Sequence, residues 1–468
     1  MQISAYHAGL GGDKMAFKDD FVWGAATAAY QVEGAAYEAD KGLNIWDVFS
    51  KETDKIFDQQ TGEVACEQVH RYKEDVQIMK QLGLKAYRFS INWARILPDG
   101  VGPISEAGIQ YYNHLIDELI ANGIEPYLTL YHWDLPYALH KKGGWLNEES
   151  VAWFREYAMV IAQHFSDRVK FYFTFNEPQC FISLGYCEGE HAPGLKYGRR
   201  EYLQICHNVL KAHGAAVLAL REYAKQQIQI GFAPTGSFPF PDTDKIEDVE
   251  AARKAMFEDF DTVEGSMWHV AWLSDPVMLG HYPEKALEKF KDYLPKITEE
   301  DMALIHQPID FYGQNIYNGF KVRAGKDGKA ERVKRYDGFP KTAIDWPVTP
   351  ECLYWIPKFL YERYKKPIYI AENGMAATDW VCLDGKVHDS YRIDFYHRYL
   401  RELRKAASEG IDIAGYFAWS LMDNFEWCKG YSERFGMIFV DFQTQQRIIK
   451  DSGYWYRDVI SCNGENLI

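Results

Sequence analysis

Residues 367–374 read Pro367-Ile368-Tyr369-Ile370-Ala371-Glu372-Asn373-Gly374. Four apolar residues in succession, without alternation, are the pattern of a strand covered on both faces, as in a parallel sheet enclosed by helices. The run delivers a carboxylate, Glu372, at its end, and Gly374 is expected to allow the turn that follows. A second stretch, V-K-F-Y-F-T-F-N-E-P at 169–178, alternates up to Asn176 and Glu177. Pro178 has no backbone N–H, so it is expected to end the ladder and to hold Glu177 extended at the carboxyl end of its strand.

Similar runs occur on both sides of these two. The pattern predicts strands at 21–25, 85–90, 125–131, 169–175, 228–233, 311–314, 367–371 and 413–419, eight in all. Amphipathic helices lie between them. Ser105 is placed to cap one with Ile109, Tyr112, Ile116 and Leu119 on one face and Gly123 as its stop. Asn147 is expected to cap the next, with Val151, Phe154, Ala158, Ile161 and Phe165 inward. A third runs from about His70 to Leu82, ahead of Gly83. Alternating strand and helix predicts an α/β protein with parallel strands, and eight units close a (β/α)₈ barrel with long βα loops. A doubly wound sheet is set aside because no G-x-G-x-x-G follows any strand. No linker marks a boundary, so residues 1–468 are read as one catalytic barrel domain, with 1–15 an irregular N-terminal extension.

Composition excludes several classes of partner. The 67 Asp and Glu outnumber the 52 Lys and Arg, giving a net charge of −15, which disfavours phosphate backbones and anionic lipid; neither nucleic acid nor membrane is expected as a partner. The eight cysteines are scattered without a C-x-x-C pair, the pattern of reduced, mostly buried thiols. With no basic and apolar leader and no run of 18 apolar residues, the expectation is a cytoplasmic protein. The sequence does not distinguish a monomer from an oligomer.

The two glutamates carry the chemistry. In a barrel of this kind active sites lie at the carboxyl ends of the strands. One Glu there is ordinarily a rim salt bridge or a helix cap. Two, on strands four and seven, are what glycoside hydrolysis requires: one protonated to help the leaving oxygen depart, the other ionised to attack the anomeric carbon. Arg88, in Y-R-F-S at the top of strand two, is the candidate cation for keeping Glu372 ionised, or else a structural ion pair within the barrel. No H-x-H or H-E-x-x-H pair and no G-x-S-x-G occurs, so neither a metal nor a cofactor is expected. A carbohydrate-binding barrel without turnover would lack one of the two glutamates.

Six motifs give the chain a resemblance to glycoside hydrolase family 1, the β-glucosidase family: F-V-W-G-A-A-T-A-A-Y-Q-V-E-G at 21–34, L-Y-H-W-D-L-P at 130–136, T-F-N-E-P at 174–178, N-I-Y at 315–317, I-A-E-N-G at 370–374 and W-S-L-M-D-N-F-E-W at 419–427. The resemblance implies a (β/α)₈ barrel that hydrolyses terminal β-glucosides with retention, without metal or cofactor, on a small-molecule glucoside or oligosaccharide. It implies Glu177 as acid/base, Glu372 as nucleophile, Asn176 as partner of the sugar 2-hydroxyl and Tyr317 as partner of the nucleophile. It places Gln31, His132, Trp419, Glu426 and Trp427 in the subsite of the non-reducing sugar, adds Asn315 among the substrate-binding residues, and makes Trp133, Trp346, Trp419, Trp427 and Phe435 walls of the slot.

Three departures from the family pattern matter. Gln179 stands where many relatives have Trp after T-F-N-E-P, which removes an aromatic wall near the leaving group. The stretch 321–335 carries seven Lys or Arg and reads as a solvated loop rather than a phosphate site. Relatives that cleave 6-phospho-β-glucosides surround the phosphate with Ser, Lys and Tyr; Glu426, Glu433 and Phe435 stand here instead, and an ionised Glu426 would repel phosphate and accept from the O4 and O6 hydroxyls.

Overall fold

The computed structural model describes residues 17–326 and 328–468; the extension expected at 1–15 lies outside them. Eight strands, β1 (Val22–Ala26), β2 (Ala86–Ser90), β3 (Glu125–Tyr131), β4 (Phe171–Asn176), β5 (Gln229–Ala233), β6 (Phe311–Asn315), β7 (Ile368–Asn373) and β8 (Ile413–Trp419), pair in parallel in chain order. The barrel closes where Ala26 of β1 lies between Arg88 of β2 and Trp419 of β8. All eight expected strands are present, but β4, β6 and β7 run on through Asn176, Asn315 and Glu372–Asn373. Polarity had marked those residues as strand ends, yet at the barrel mouth they are buried and their backbones stay in the ladder.

Aromatic rings fill the barrel below the site. Tyr127 of β3 lies 5.0 Å from Phe417 of β8, and Phe311 of β6 lies 5.0 Å from both Phe173 of β4 and Tyr369 of β7. Such rings fit only where a neighbouring strand gives up its side chain: a Cβ at Gly231 would stand 2.0 Å from the Phe311 ring, and one at Gly24 would stand 2.5 Å from Phe417. The result is a dry floor on which any charge above it is poorly solvated.

Both strands that deliver a catalytic candidate are irregular in their last residues. The register slips between Phe173 and Asn176 in β4 and between Ile370 and Asn373 in β7. Bulges of this kind re-aim side chains at barrel rims, and no periodicity in the sequence announced them. Gly374 corrects a second expectation. Its φ lies outside the left-handed region; what it requires is the absence of a Cβ, which would meet the Trp419 carbonyl oxygen at 1.7 Å. The chain leaving β7 is thereby pressed against the end of β8.

Ser105 caps the helix Glu106–Ala121 by accepting from the Gly108 N–H, and Gly123 follows with φ +74°. Asn147 does not cap its helix. Its side chain accepts from the Glu149 N–H, and the helix Ser150–Phe165 starts behind Glu149; the short Asx turn satisfies the donor before the first helical residue. The basic stretch at 321–335 is not a loop throughout. Phe320–Ala324 pairs with Ala330–Arg332 as a hairpin, joined to Pro239–Pro241, because Phe320, Val322 and Ala324 alternate with the charges. All eight cysteines are unpaired, but only Cys66, Cys180, Cys206 and Cys352 are buried, the other four being partly exposed. Among the described residues no helix is long and apolar enough to cross a membrane.

Candidate active site

A cavity of about 590 Å³ opens at the carboxyl ends of the strands, with Glu177 and Glu372 both in its wall. Glu177 is not extended as its proline neighbour had led us to expect. It sits in the left-handed region (φ 45°, ψ 63°) as the residue capping a short helix, Pro178–Ile182, in which Pro178 takes the first position. That position needs no N–H, so the proline begins a helix here rather than merely stopping a strand. The Glu177 N–H reaches across to the Ala233 carbonyl of β5 at 2.8 Å. A non-glycine residue held left-handed costs about 1–2 kcal/mol. Trp133 and Trp427 in the same cavity share the condition, with φ 77° and 48°. Strain of this kind persists where surrounding structure over-determines a functional side chain.

The two carboxylates have unequal partners. Glu372, 3 % exposed, accepts from Arg88 Nη1 at 2.7 Å and from the Tyr317 hydroxyl at 2.7 Å. Glu177, 8 % exposed, accepts from the neutral Asn315 amide at 2.9 Å. Burial pushes both upward, but Arg88 and Tyr317 pull Glu372 back toward the ionised form. For Glu177, burial and then the charge of Glu372 outweigh Asn315, and its pKa is pushed up to about 8. Glu372 also stays above the usual carboxylate range, but it is the one of the two that a cation and a hydroxyl hold toward the ionised form.

Arg88 is more than a barrel ion pair. At 1 % exposure it lies over the Phe173 ring, gives Nη1 to Glu372 and donates Nη2 to Asn176 Oδ1 at 2.6 Å. The Asn315 amide also reaches Asn176 Oδ1, at 3.1 Å, and the Asn176 amide lies 3.0 Å from His132 Nε2. Burial, with Arg88 nearby, holds His132 neutral. One connected network therefore joins the ends of β2, β3, β4, β6 and β7.

The other predicted residues gather at the β8 and β1 side. The Gln31 amide donates to Asn424 Oδ1 and the Phe425 carbonyl, both at 2.9 Å, and to Glu426 Oε2 at 3.4 Å. Trp427 packs 4.4 Å from Trp133, and Trp419 stacks with His132 at 5.6 Å. Trp133 Nε1 donates to the Asn176 carbonyl. On another wall Trp346 lies 5.0 Å from Tyr317 and 6.1 Å from Phe435. Of the expected residues, His132, Trp133, Glu177, Tyr317, Trp346, Glu372, Trp419, Glu426, Trp427 and Phe435 line the cavity, while Gln31, Arg88, Asn176 and Asn315 are buried beside it and bonded to residues at its wall. Gln31 Oε1 and His132 Nδ1 are buried without a protein partner, as groups that read a polyhydroxylated ligand would be.

Glu426 departs from its expectation. Burial, then Glu372 and Glu433, push it up to about 8, so at neutral pH it carries a proton and offers a donor as well as acceptors. Gln179 is fully buried and accepts from the Thr235 N–H at 3.2 Å, bracing that loop instead of facing the cavity. The cavity is also lined by residues the sequence reading missed, among them Leu184, His191, Thr235, Phe238, Trp268, Asn318 and Ile344. Thr235 and Asn318 lie just past the ends of β5 and β6, and that position was their one available signal. Among the described residues no group of three or more His, Cys, Asp or Glu is arranged to hold a metal ion.

A closed eight-stranded barrel with two buried glutamates facing one sugar-sized cavity defines an enzyme of the glycoside-hydrolysing class. Comparison with known proteins narrows the class, since the profile described as Glycosyl hydrolase family 1 matches residues 13–465, and the chain belongs to that family. It is 43% identical over 449 residues to Beta-glucosidase A of Thermotoga maritima, covering 96% of this chain and 98% of the relative. It is also 43% identical over 457 residues to Beta-glucosidase A of Acetivibrio thermocellus, covering 96% and 99%. Among solved structures, the Thermotoga maritima β-glucosidase in complex with glucoimidazole superposes with a TM-score of 0.87 at 43% identity, covering 96% of this chain and 100% of that one.

Proposed function

We propose that the protein is a retaining β-glucosidase that removes terminal β-D-glucosyl residues from cellobiose, short β-glucans and aryl or alkyl glucosides. The observation that carries this reading is the unequal pairing of the two glutamates. Glu372, held by Arg88 and Tyr317, attacks the anomeric carbon, and its bond to that carbon forms as the glycosidic bond breaks. Glu177, still protonated at neutral pH, gives its proton to the departing oxygen. With the aglycone gone, Glu177 is a base and takes a proton from water, whose oxygen bonds to the anomeric carbon as its bond to Glu372 breaks, releasing glucose and restoring both residues. Asn176, oriented by Arg88 and Asn315, faces the 2-hydroxyl, where hydrogen bonding strengthens as the ring flattens. Gln31, His132, Trp419, Glu426 and Trp427 hold the non-reducing sugar, Trp133 and Phe435 wall it, and Trp346 with Tyr317 lies toward the leaving group.

A 6-phosphate is disfavoured because the positions that would meet it carry Glu426 and Glu433, which supply no positive charge. Eight unpaired thiols favour a reducing compartment, and we place the activity in the cytoplasm on soluble products of cellulose breakdown. The test follows the anomer of released glucose by NMR, with kinetics on the nitrophenyl glucoside, galactoside and fucoside and on cellobiose and its 6-phosphate. β-Glucose appearing first, with cellobiose preferred over its phosphate, supports the reading. α-Glucose appearing first, or preference for the phosphate, overturns it.

A further inference from the structure

A cavity of about 600 Å³, as large as the substrate cavity, opens between the β6–β7 connection and the helix Ser390–Ser408, and the two have no wall residue in common. Its wall includes Lys321, Lys334 and Arg335 of the basic stretch, which has no part in the catalytic site. A short hairpin separates the two spaces. Lys341 pairs with Pro347, the Thr342 N–H donates to the Trp346 carbonyl at 2.8 Å, and the Val348 N–H donates to the Pro340 carbonyl at 3.0 Å. Ile344 and Trp346 of this hairpin line the substrate cavity, whereas Pro340, Lys341 and Val348 line the other.

We propose that this cavity is a binding site for an aromatic carboxylate, a flat ring bearing one negative group, held on the side of the hairpin away from the substrate. The inference does not depend on the glucosidase reading. Tyr336, 66 % exposed, and Phe339 stand with ring centroids 5.1 Å apart, and Tyr391 is 44 % exposed in the same wall; such rings stack with another ring. Positive charge is in excess there. Both wall carboxylates are already matched, Glu351 by Lys321 at 3.2 Å and Asp394 by Arg398 at 2.6 Å. Lys334 makes no hydrogen bond or ion pair among the described residues. Arg335 lies over the Phe339 ring and donates to the Gly319 carbonyl at 3.3 Å, without a carboxylate partner. Burial and the neighbouring Arg332 accordingly lower its pKa. In a chain of net charge −15, two unmatched cations beside exposed rings suit an anion with an apolar body, the guanidinium taking the carboxylate through paired N–H groups. A sugar phosphate would need groups that read hydroxyls. Here the carboxylates are taken, Thr349 Oγ1 accepts from the Gly319 N–H, and the Tyr391 hydroxyl is given to Asp379.

The experiment is calorimetric titration of the full chain at neutral pH and low salt with 4-hydroxycinnamate, the uncharged 4-hydroxycinnamyl alcohol and inorganic phosphate. The acid is expected to saturate one site with a Kd below about 1 mM. The alcohol, lacking the charge, and phosphate, lacking the ring, should each bind at least about tenfold more weakly. Arg335→Gln should weaken the acid about tenfold, Tyr336→Ala about fivefold and Lys334→Gln about threefold. Because Arg335 also holds the Gly319 carbonyl, Lys334→Gln, which removes no internal bond, keeps the test open if Arg335→Gln does not fold. No saturation by about 10 mM overturns the proposal. So does an alcohol or phosphate that binds as tightly as the acid, or an affinity for the acid that none of the three substitutions changes, which would place the ligand elsewhere.

Discussion

Two buried charge clusters sit close together in this barrel and behave oppositely. Behind the β8 loop, three cations meet three carboxylates. Lys450 Nζ donates to Asp379 at 2.6 Å and Asp423 at 2.7 Å, Arg392 to Asp379 at 2.7 Å and also to Asp389, and Arg434 to Asp423 at 2.6 Å. There, despite burial, Lys450 and Arg392 hold the Asp379 carboxyl down at about 2. In the substrate cavity Glu177, Glu372 and Glu426 face one buried cation, Arg88, and the two glutamates that Arg88 does not touch are pushed up to about 8. Burial raises the carboxyls in both places; only where Lys450 and Arg392 match the carboxylates is that rise reversed. A balanced cluster fixes the loop that carries Glu426, Trp427 and Phe435. The unbalanced one leaves Glu177 and Glu426 raised well above the usual carboxylate range.

The largest effect that would test this contrast is at Glu372. Glu372→Ala should lower kcat by about 10⁴-fold or more, with activity recovered by azide or formate and an inverted product detected by NMR; failure of rescue would remove Glu372 as nucleophile. Glu177→Gln should lower kcat on cellobiose by about 10²–10⁴-fold and much less on a nitrophenyl glucoside whose leaving group needs no proton. Equal losses on the two substrates would argue against Glu177 as the acid.

In the balanced cluster the readout is stability. Lys450→Met leaves Asp379 and Asp423 short of a partner and should cost about 3–5 kcal/mol in chemical denaturation. Asp379 has a folded value below its unfolded one, so the cluster's contribution is complete above about pH 4 and is lost as pH falls toward 2. A parent protein whose denaturation midpoint does not change across that window would break the contrast. The smallest effect is in the pH–rate profile. Because the acid must be protonated, kcat/KM on cellobiose should hold as pH rises and fall through about 8, where Glu177 deprotonates; a fall already complete by pH 6 would contradict its raised value.

Much of this was legible in the chain. Strands appeared where apolar runs ended in polar residues, since a barrel strand is enclosed on both faces and its carboxyl end meets the buried polar network of the mouth. Six motifs in order pointed to residues that the fold gathers at and around one cavity. What misled was local inference about backbone. Glu177 was expected to be extended and is left-handed, Gly374 was expected to turn and instead makes room, and Asn147 was expected to cap and forms a turn before its helix. For Glu177 and Gly374 the deciding partner, Ala233 or Trp419, lies far along the chain where propensity rules give no information; for Asn147 two local motifs compete, and the Asx turn to the Glu149 N–H prevails over the cap.

The sequence by itself determined the alternation of strand and helix, the family and the identity of the two glutamates, because these depend on residue type and order along the chain. Only the tertiary structure decided which glutamate is paired with Arg88, why Glu177 and Glu426 are pushed up, and that Trp268 and Asn318 stand in the walls of two cavities. Those outcomes depend on distances between residues far apart in sequence and on how much water each charge retains, and both are properties of the folded barrel.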